Sequence, residues 1–334
     1  MLTLVTSLLV LSIATQFVVS ATDRPVIGIF TRMDEDFGFQ HLIGASYVKW
    51  IESAGARTIP IHSNNTSDEE MEALFQNLNG VLLPGGHDFI TQPVRKMWQL
   101  ANEANENGDR FPIWSTCLGF QQMVTLASTQ GGSFPLGLFD SNMISLTLDF
   151  SEYGKTESKM FAMAESIIEI LATKPITYNN HAKGIQPESL EADEGANDMF
   201  VITSTSVARD GLRFVASIEA RDFDTYPYFG VQFRPEKHAF EQSAIPGTDI
   251  PFNPAIDHSE DAILASNALL KNFISEARKS THMYKDIDRF PLIWNYETGQ
   301  GLKYEQVYFF RKTNQQQQLE GGKSSVVTNL RGSL

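Results

Sequence analysis

The sequence predicts an α/β protein with a mostly parallel sheet flanked by helices on both faces. Three observations predict it. Short apolar runs alternate with amphipathic helical stretches from Val26 to Ala127. The runs are three to five residues long and carry no charge, which suits strands buried on both faces. Turn residues such as Pro84-Gly85-Gly86 fall where those strands have to stop. Repeated βα units build parallel sheets, because the crossover helix returns the chain to the same end of the next strand. Ligands then bind at the carboxyl ends of the strands.

The elements follow in order. Val26 to Phe30 is an apolar run and reads as the first strand. Gly44 to Ala54 has Ala45, Val48 and Ile51 at helical spacing and ends at Gly55. Thr58 to Ile61 is a second strand. Ser67 and Glu70 form a capping-box pattern that opens a helix, with Met71, Leu74, Phe75 and Leu78 on one face. Val81 to Leu83 is a third strand. A helix is expected over Val94 to Asn102, a strand over Pro112 to Thr116 and a helix over Leu118 to Ala127. The second half is less regular. Met143 to Phe150, Phe200 to Thr205, Phe214 to Ile218 and Phe229 to Phe233 read as strands. Glu157 to Ala172 and Glu260 to Arg278 read as helices.

The chain has 334 residues, 42% of them hydrophobic and 20% charged, which fits a globular protein rather than a disordered one. Acidic residues outnumber basic ones 40 to 26, a net charge of −14. So acidic a chain lacks the basic footprint of a nucleic-acid or anionic-membrane binder, and an acidic ligand needs a local basic pocket. Residues 1–21 are apolar and uncharged, end in Ser20 and Ala21, and read as a secretory signal peptide. The alternative is a membrane anchor, for which the stretch is of borderline length. A domain is expected over 22–311, with a disordered Gln-rich tail over 312–334. Asn64 and Asn65 are overlapping glycosylation acceptors.

A single cysteine excludes an internal disulfide and a thiolate zinc site. No metal and no cofactor is expected. Cys117 sits between a strand and a helix, in Thr116-Cys117-Leu118-Gly119-Phe120. A sharp strand-to-helix turn exposes its turn residue and aims the first helical N–H groups at whatever binds there. The helix N-terminus favours a thiolate. Cys117 is therefore a candidate nucleophile, with the N–H groups of Leu118 and Gly86 as candidate oxyanion donors. The alternative is a buried structural cysteine.

Arg24 to Ile29, Ala45 to Arg57, Leu83-Pro84-Gly85-Gly86, the Cys117 segment, Ser158-Lys159-Met160-Phe161, His181 and Gly230-Val231-Gln232-Phe233-Arg234-Pro235-Glu236-Lys237 together resemble gamma-glutamyl hydrolase. The similarity runs from about Arg24 to about Phe310. The resemblance implies a class I glutamine-amidotransferase-like fold with a flavodoxin-like core, a secreted or lysosomal (vacuolar) location and a folyl-polyglutamate substrate. It also implies removal of gamma-linked glutamate through a cysteine acyl-enzyme, His181 as a substrate contact and a chain that is often a homodimer. It implies no nucleic-acid partner, and no membrane once the signal is cleaved.

One position departs from that pattern. The family has a catalytic His where this chain has Arg234, with Glu236 orienting it. Arginine has five donors and no acceptor, and it does not release its proton. It stabilises a thiolate but cannot shuttle a proton, and general acid–base help is worth about 10²–10⁴-fold. His87, next to Gly86, is a candidate substitute base; His238 is expected to point elsewhere. Glu236 is expected to pair with Arg234. Two readings stay open: a cysteine hydrolase, or an impaired relative that binds gamma-glutamyl ligands without cleaving them. A glutaminase subunit feeding a synthetase fits the fold but not the signal segment.

Overall fold

The computed structural model describes residues 22–34, 40–162, 165–245, 247–300 and 304–310. The expected signal segment 1–21 and tail 312–334 lie outside the described residues. In chain order the elements begin with β1 (Val26–Phe30), β2 (Arg32–Asp34), β3 (Gln40–Gly44), α1 (Ala45–Ser53) and β4 (Arg57–Ile61). Next come α2 (Asp68–Phe75), β5 (Gly80–Leu83), α3 (Gln92–Glu106), β6 (Ile113–Thr116) and α4 (Leu118–Ala127). The irregular half holds β7 (Gly137–Leu146), β8 (Asp149–Phe150), α5 (Glu152–Thr156), α6 (Glu165–Thr173), β9 (Thr177–Gly184), α7 (Pro187–Ala192) and α8 (Glu194–Met199). It closes with β10 (Phe200–Val207), β11 (Arg213–Ala220), β12 (Tyr228–Val231), α9 (Glu260–Ala277), β13 (Thr298–Gly299) and β14 (Val307–Phe310).

The main sheet has eight strands in the order β4-β1-β5-β6-β12-β11-β10-β8. The pairings from β4 through β12 are parallel and those from β12 to β8 antiparallel. Alternation along β1 shows how the sheet is buried on both faces. Ile27 and Ile29 enter one apolar cluster, where Trp50 of α1, Leu171 of α6 and Phe273 of α9 pack. Val26 and Phe30 enter the other, with Phe75 of α2, Met97 of α3 and Phe120 of α4. The predicted α/β architecture, helices on both faces, is the one observed.

The first-half elements agree with their sequence patterns. Ser67 caps α2 by accepting the Glu70 N–H at 3.2 Å, and α4 spans Leu118–Ala127 as expected. The helix at Val94 is longer than its apolar periodicity suggested, running Gln92–Glu106. The second half holds two corrections. The helix expected over Glu157 to Ala172 forms only in its later part, as α6; α5 ends at Thr156, before the expected start, and Ser158-Lys159-Met160 lies between the two helices. There the Ser158 hydroxyl and the Lys159 and Met160 N–H groups all donate to the Glu219 carboxylate, at 2.7, 3.0 and 2.8 Å. A buried carboxylate that must be satisfied has taken donors that a helix would otherwise use. The strand expected over Met143 to Phe150 is likewise divided. β7 pairs with β9 in a separate two-stranded sheet, and β8 joins the edge of the main sheet.

Candidate active site

β6 ends at Thr116 in the interior of the sheet, and α4 begins at Leu118. Cys117 must turn the chain between them in one residue. It does so at φ 52° and ψ −104°, a left-handed backbone that costs a side-chain-bearing residue about 1–3 kcal/mol and clusters at functional sites. The turn is held on both sides. The Cys117 N–H donates to the Val231 carbonyl at 2.8 Å, and the Gly119 N–H donates to the Pro84 carbonyl at 3.1 Å. A Cβ on Gly119 would lie 2.1 Å from the Leu83 carbonyl oxygen, so only glycine lets the helix approach β5 this closely. Cys117 is 2% exposed. Leu118 is the first residue of α4, and its N–H has no intrahelical acceptor.

Pro84, Gly85 and Gly86 leave the end of β5 beside this elbow. The Gly85 N–H donates to the Tyr47 hydroxyl of α1 at 2.9 Å. The Gly86 N–H makes no hydrogen bond among the described residues. Two guanidinium groups lie on this loop. A Cβ on Gly85 would sit 2.4 Å from Arg234 Nη1, and one on Gly86 would sit 2.1 Å from Arg32 Cζ.

Arg234 follows β12, and its N–H donates to the Tyr178 carbonyl of β9 at 2.9 Å. The turn after it is clamped from below. The Ser266 hydroxyl of α9 donates to the Pro235 carbonyl at 2.6 Å, and the Trp50 indole N–H donates to Ser266 at 2.9 Å. The side chain is buried. Its Nη2 donates to Cys117 Sγ at 3.3 Å and its Nη1 to the Tyr47 hydroxyl at 3.4 Å. Burial opposes the charge on Arg234. The Cys117 thiol, the Tyr47 and Tyr304 hydroxyls and Glu236 outweigh burial and hold its pKa above the usual guanidinium value.

The expected Arg234–Glu236 ion pair is not made. Both Glu236 oxygens and Arg234 Nε are buried without hydrogen-bond partners among the described residues. The guanidinium instead lies over Gly85 and donates to the thiol, and acts on Glu236 only as a nearby charge. Burial pushes the Glu236 carboxyl up, against the opposing pull of Arg234 and Lys237.

The histidines separate. His181 lies on β9 with Nδ1 2.9 Å from the Lys183 carbonyl and Nε2 3.1 Å from Asn179 Oδ1. Burial lowers its pKa to about 4, and Arg234 also disfavours its charge, so the ring is neutral near pH 7. His87 is exposed at the loop surface, whereas Cys117 is buried. His238 faces away, with Nδ1 2.8 Å from the Asp257 carbonyl. Asn64 and Asn65 are exposed in the loop before α2.

The family pattern of peptidase C26 matches residues 25–236. The chain is 36% identical over 305 residues to "Gamma-glutamyl hydrolase B" of Dictyostelium discoideum, covering 86% of this chain and 83% of that one. It is 35% identical to "Gamma-glutamyl hydrolase" of Mus musculus and 30% identical to the Homo sapiens protein of that name, each alignment covering 86% of this chain and 90% of the relative. This chain is a member of the gamma-glutamyl hydrolase family. Membership places its fold in the glutamine-amidotransferase-like superfamily and accords with the elbow at Cys117.

Two residues of this gamma-glutamyl hydrolase family member escaped sequence reasoning. Tyr47 was seen only as part of a matching block, yet its hydroxyl ties the Gly85 loop to Arg234. Arg32 was not singled out at all. Its position immediately past the carboxyl end of β1 was the available signal, because that is where open parallel sheets place ligand-binding groups.

Proposed function

We propose that the chain hydrolyses gamma-glutamyl amides of folyl-polyglutamate type through Cys117, with its proton-transfer step impaired. The observation that carries this reading is the 3.3 Å contact from Arg234 Nη2 to Cys117 Sγ at an otherwise complete elbow. The thiolate is the nucleophilic form of a cysteine. The thiolate attacks the γ-carbonyl carbon and a C–S bond forms. The Leu118 and Gly86 N–H groups stabilise the oxyanion. As the C–N bond breaks, the departing amine takes its proton from water, because Arg234 cannot release one. The hydroxide left by that water attacks the thioester carbon, the C–S bond breaks and the Cys117 thiolate is restored, the proton of the new carboxylic acid passing to the released amine. His181 is carried as a substrate contact, and Glu236 supports the turn rather than a relay.

The second reading is a protein that binds gamma-glutamyl ligands without turnover, and the same contact favours it: a thiol locked against a permanent cation has no base. The test is release of glutamate from a folyl-polyglutamate by the purified protein beside Cys117→Ala. Turnover lost in the variant supports the hydrolase. Equal rates for both proteins reject it and leave the binding reading. Entry into the secretory path through residues 1–21, a luminal location and glycosylation belong to the same proposal. Asn65 is the better acceptor, because the Asn64 amide already lies 3.5 Å from His41 Nε2.

A further inference from the structure

We infer that Arg32 is an anion-binding residue of the Cys117 site, placed to hold an α-carboxylate beside the scissile γ-amide. The inference rests on the gamma-glutamyl reading of the site and names the group that recognises the substrate's charge. Arg32 is 7% exposed. Its Nε and Nη1 are buried and have no hydrogen-bond partner among the described residues. A buried guanidinium without a counter-ion is costly, and such groups are found paired. The nearby loop carboxylate is engaged elsewhere: Asp88 accepts the Met33 N–H at 3.1 Å and makes no ion pair with Arg32. Among the described residues this cation of the interior has no counter-ion.

Its position says which anion fits. The Arg32 guanidinium covers Gly86, with Cζ 2.1 Å and both Nη atoms 2.2 Å from where a Cβ would be. Gly85, the preceding residue, is covered in the same way by Arg234. Two cations thus lie on adjacent residues of the loop next to the nucleophile. Arg234 is engaged with Cys117 and Tyr47, which leaves Arg32 available. In a γ-glutamyl unit four carbon–carbon bonds, about 5 Å when extended, separate the γ-carbonyl carbon from the α-carboxylate carbon. A carbonyl held at the Gly86 and Leu118 N–H groups therefore carries an α-carboxylate within reach of a guanidinium lying on Gly86. Arginine's planar fork matches a carboxylate with two parallel hydrogen bonds, which lysine cannot reproduce. In a chain of net charge −14, this is the local basic pocket that an anionic substrate requires.

The test measures binding, so it does not depend on turnover. The probe is N-acetyl-γ-glutamyl-glutamate, with a second probe in which both α-carboxylates are primary amides. Each is titrated calorimetrically into full-length Cys117→Ala and into Cys117→Ala combined with Arg32→Gln or Arg32→Lys. Loss of a charge-assisted pair is expected to weaken the carboxylate probe about 30-fold in the Gln variant and to leave the amide probe within about twofold. The Lys variant is expected to fall between. Equal weakening of both probes marks a merely structural arginine and overturns the inference, as does unchanged affinity for the carboxylate probe. If the Gln variant does not fold, the Arg32-containing protein decides: equal affinity for the two probes overturns the inference. Absence of turnover in the native protein would defeat the hydrolase reading while leaving this comparison intact.

Discussion

The elbow at Cys117 and the turn at Arg234 follow the carboxyl ends of the neighbouring parallel strands β6 and β12, yet they hold their residues by different means. The elbow is defined by backbone: a left-handed Cys117, a glycine against the Leu83 carbonyl and two main-chain hydrogen bonds. The turn is held by a main-chain bond to Tyr178 and by the Ser266 hydroxyl on the Pro235 carbonyl, but its chemistry lies in one side chain. A backbone-defined site tolerates almost no substitution. A side-chain-defined site can exchange its chemistry while its scaffold stays in place. Arg234 is such a side chain: its guanidinium donates to the Cys117 sulfur at 3.3 Å while the Tyr178 carbonyl and the Ser266 hydroxyl hold the turn.

Three perturbations break or sharpen that contrast. The largest falls on the elbow. Gly119→Ala forces a Cβ into the Leu83 carbonyl at 2.1 Å, where only backbone movement can relieve it. We expect about 3 kcal/mol of lost stability in urea unfolding, together with loss of Cys117 function. A near-neutral result would show that the elbow is as adaptable as the turn.

The second falls just past the turn. Burial lowers the His238 pKa from its ordinary 6.5 to about 4. Between those values the unfolded chain binds a proton that the native chain does not, so the stability contributed by neutral His238 rises with pH through that window and is complete above it. Acidification from pH 7 to about pH 5 should then cost about 2 kcal/mol at this residue. His238→Gln should flatten urea-derived stability against pH by about that amount. An unchanged profile would mean that the turn is less closed than its packing indicates.

The smallest perturbation touches the link between the two regions. Tyr47→Phe removes the acceptor of the Gly85 N–H and a contact to Arg234. About 1 kcal/mol of stability should be lost. Arg234 keeps its hydrogen bond to Cys117, so any change in thiol alkylation rate should be modest. A large change would make Tyr47 part of the chemistry rather than of the frame.

Much of this was legible in the residues. β1, α1, β5 and α4 follow from local apolar patterns, and Cys117 stands out because a strand, a turn and a helix meet at the lone thiol. The rest depends on partners far away in sequence. The helix expected from Glu157 onward fails because Glu219, about 60 residues later, takes its donors. β3 forms because β14 pairs with it, register Gly44 to Val307, and no local pattern announces that pairing. Arg32 joins the site by lying over Gly86, and Tyr47 by its hydroxyl's bonds to the Gly85 N–H and to Arg234. Arg234 was readable as a cation near the site, but its contact was not: the sequence suggested a pair with Glu236, and the guanidinium donates to the Cys117 sulfur instead.

The central claim is that the nucleophile is intact and that Arg234 has removed the proton shuttle. The most direct measurement is kcat/KM for glutamate release from a folyl-polyglutamate by the native protein and by Arg234→His. The account predicts a gain of about 10²–10⁴-fold in the histidine variant, abolished when Cys117→Ala is added. A variant no faster than the native protein, whether both are fast or both are inert, would contradict it.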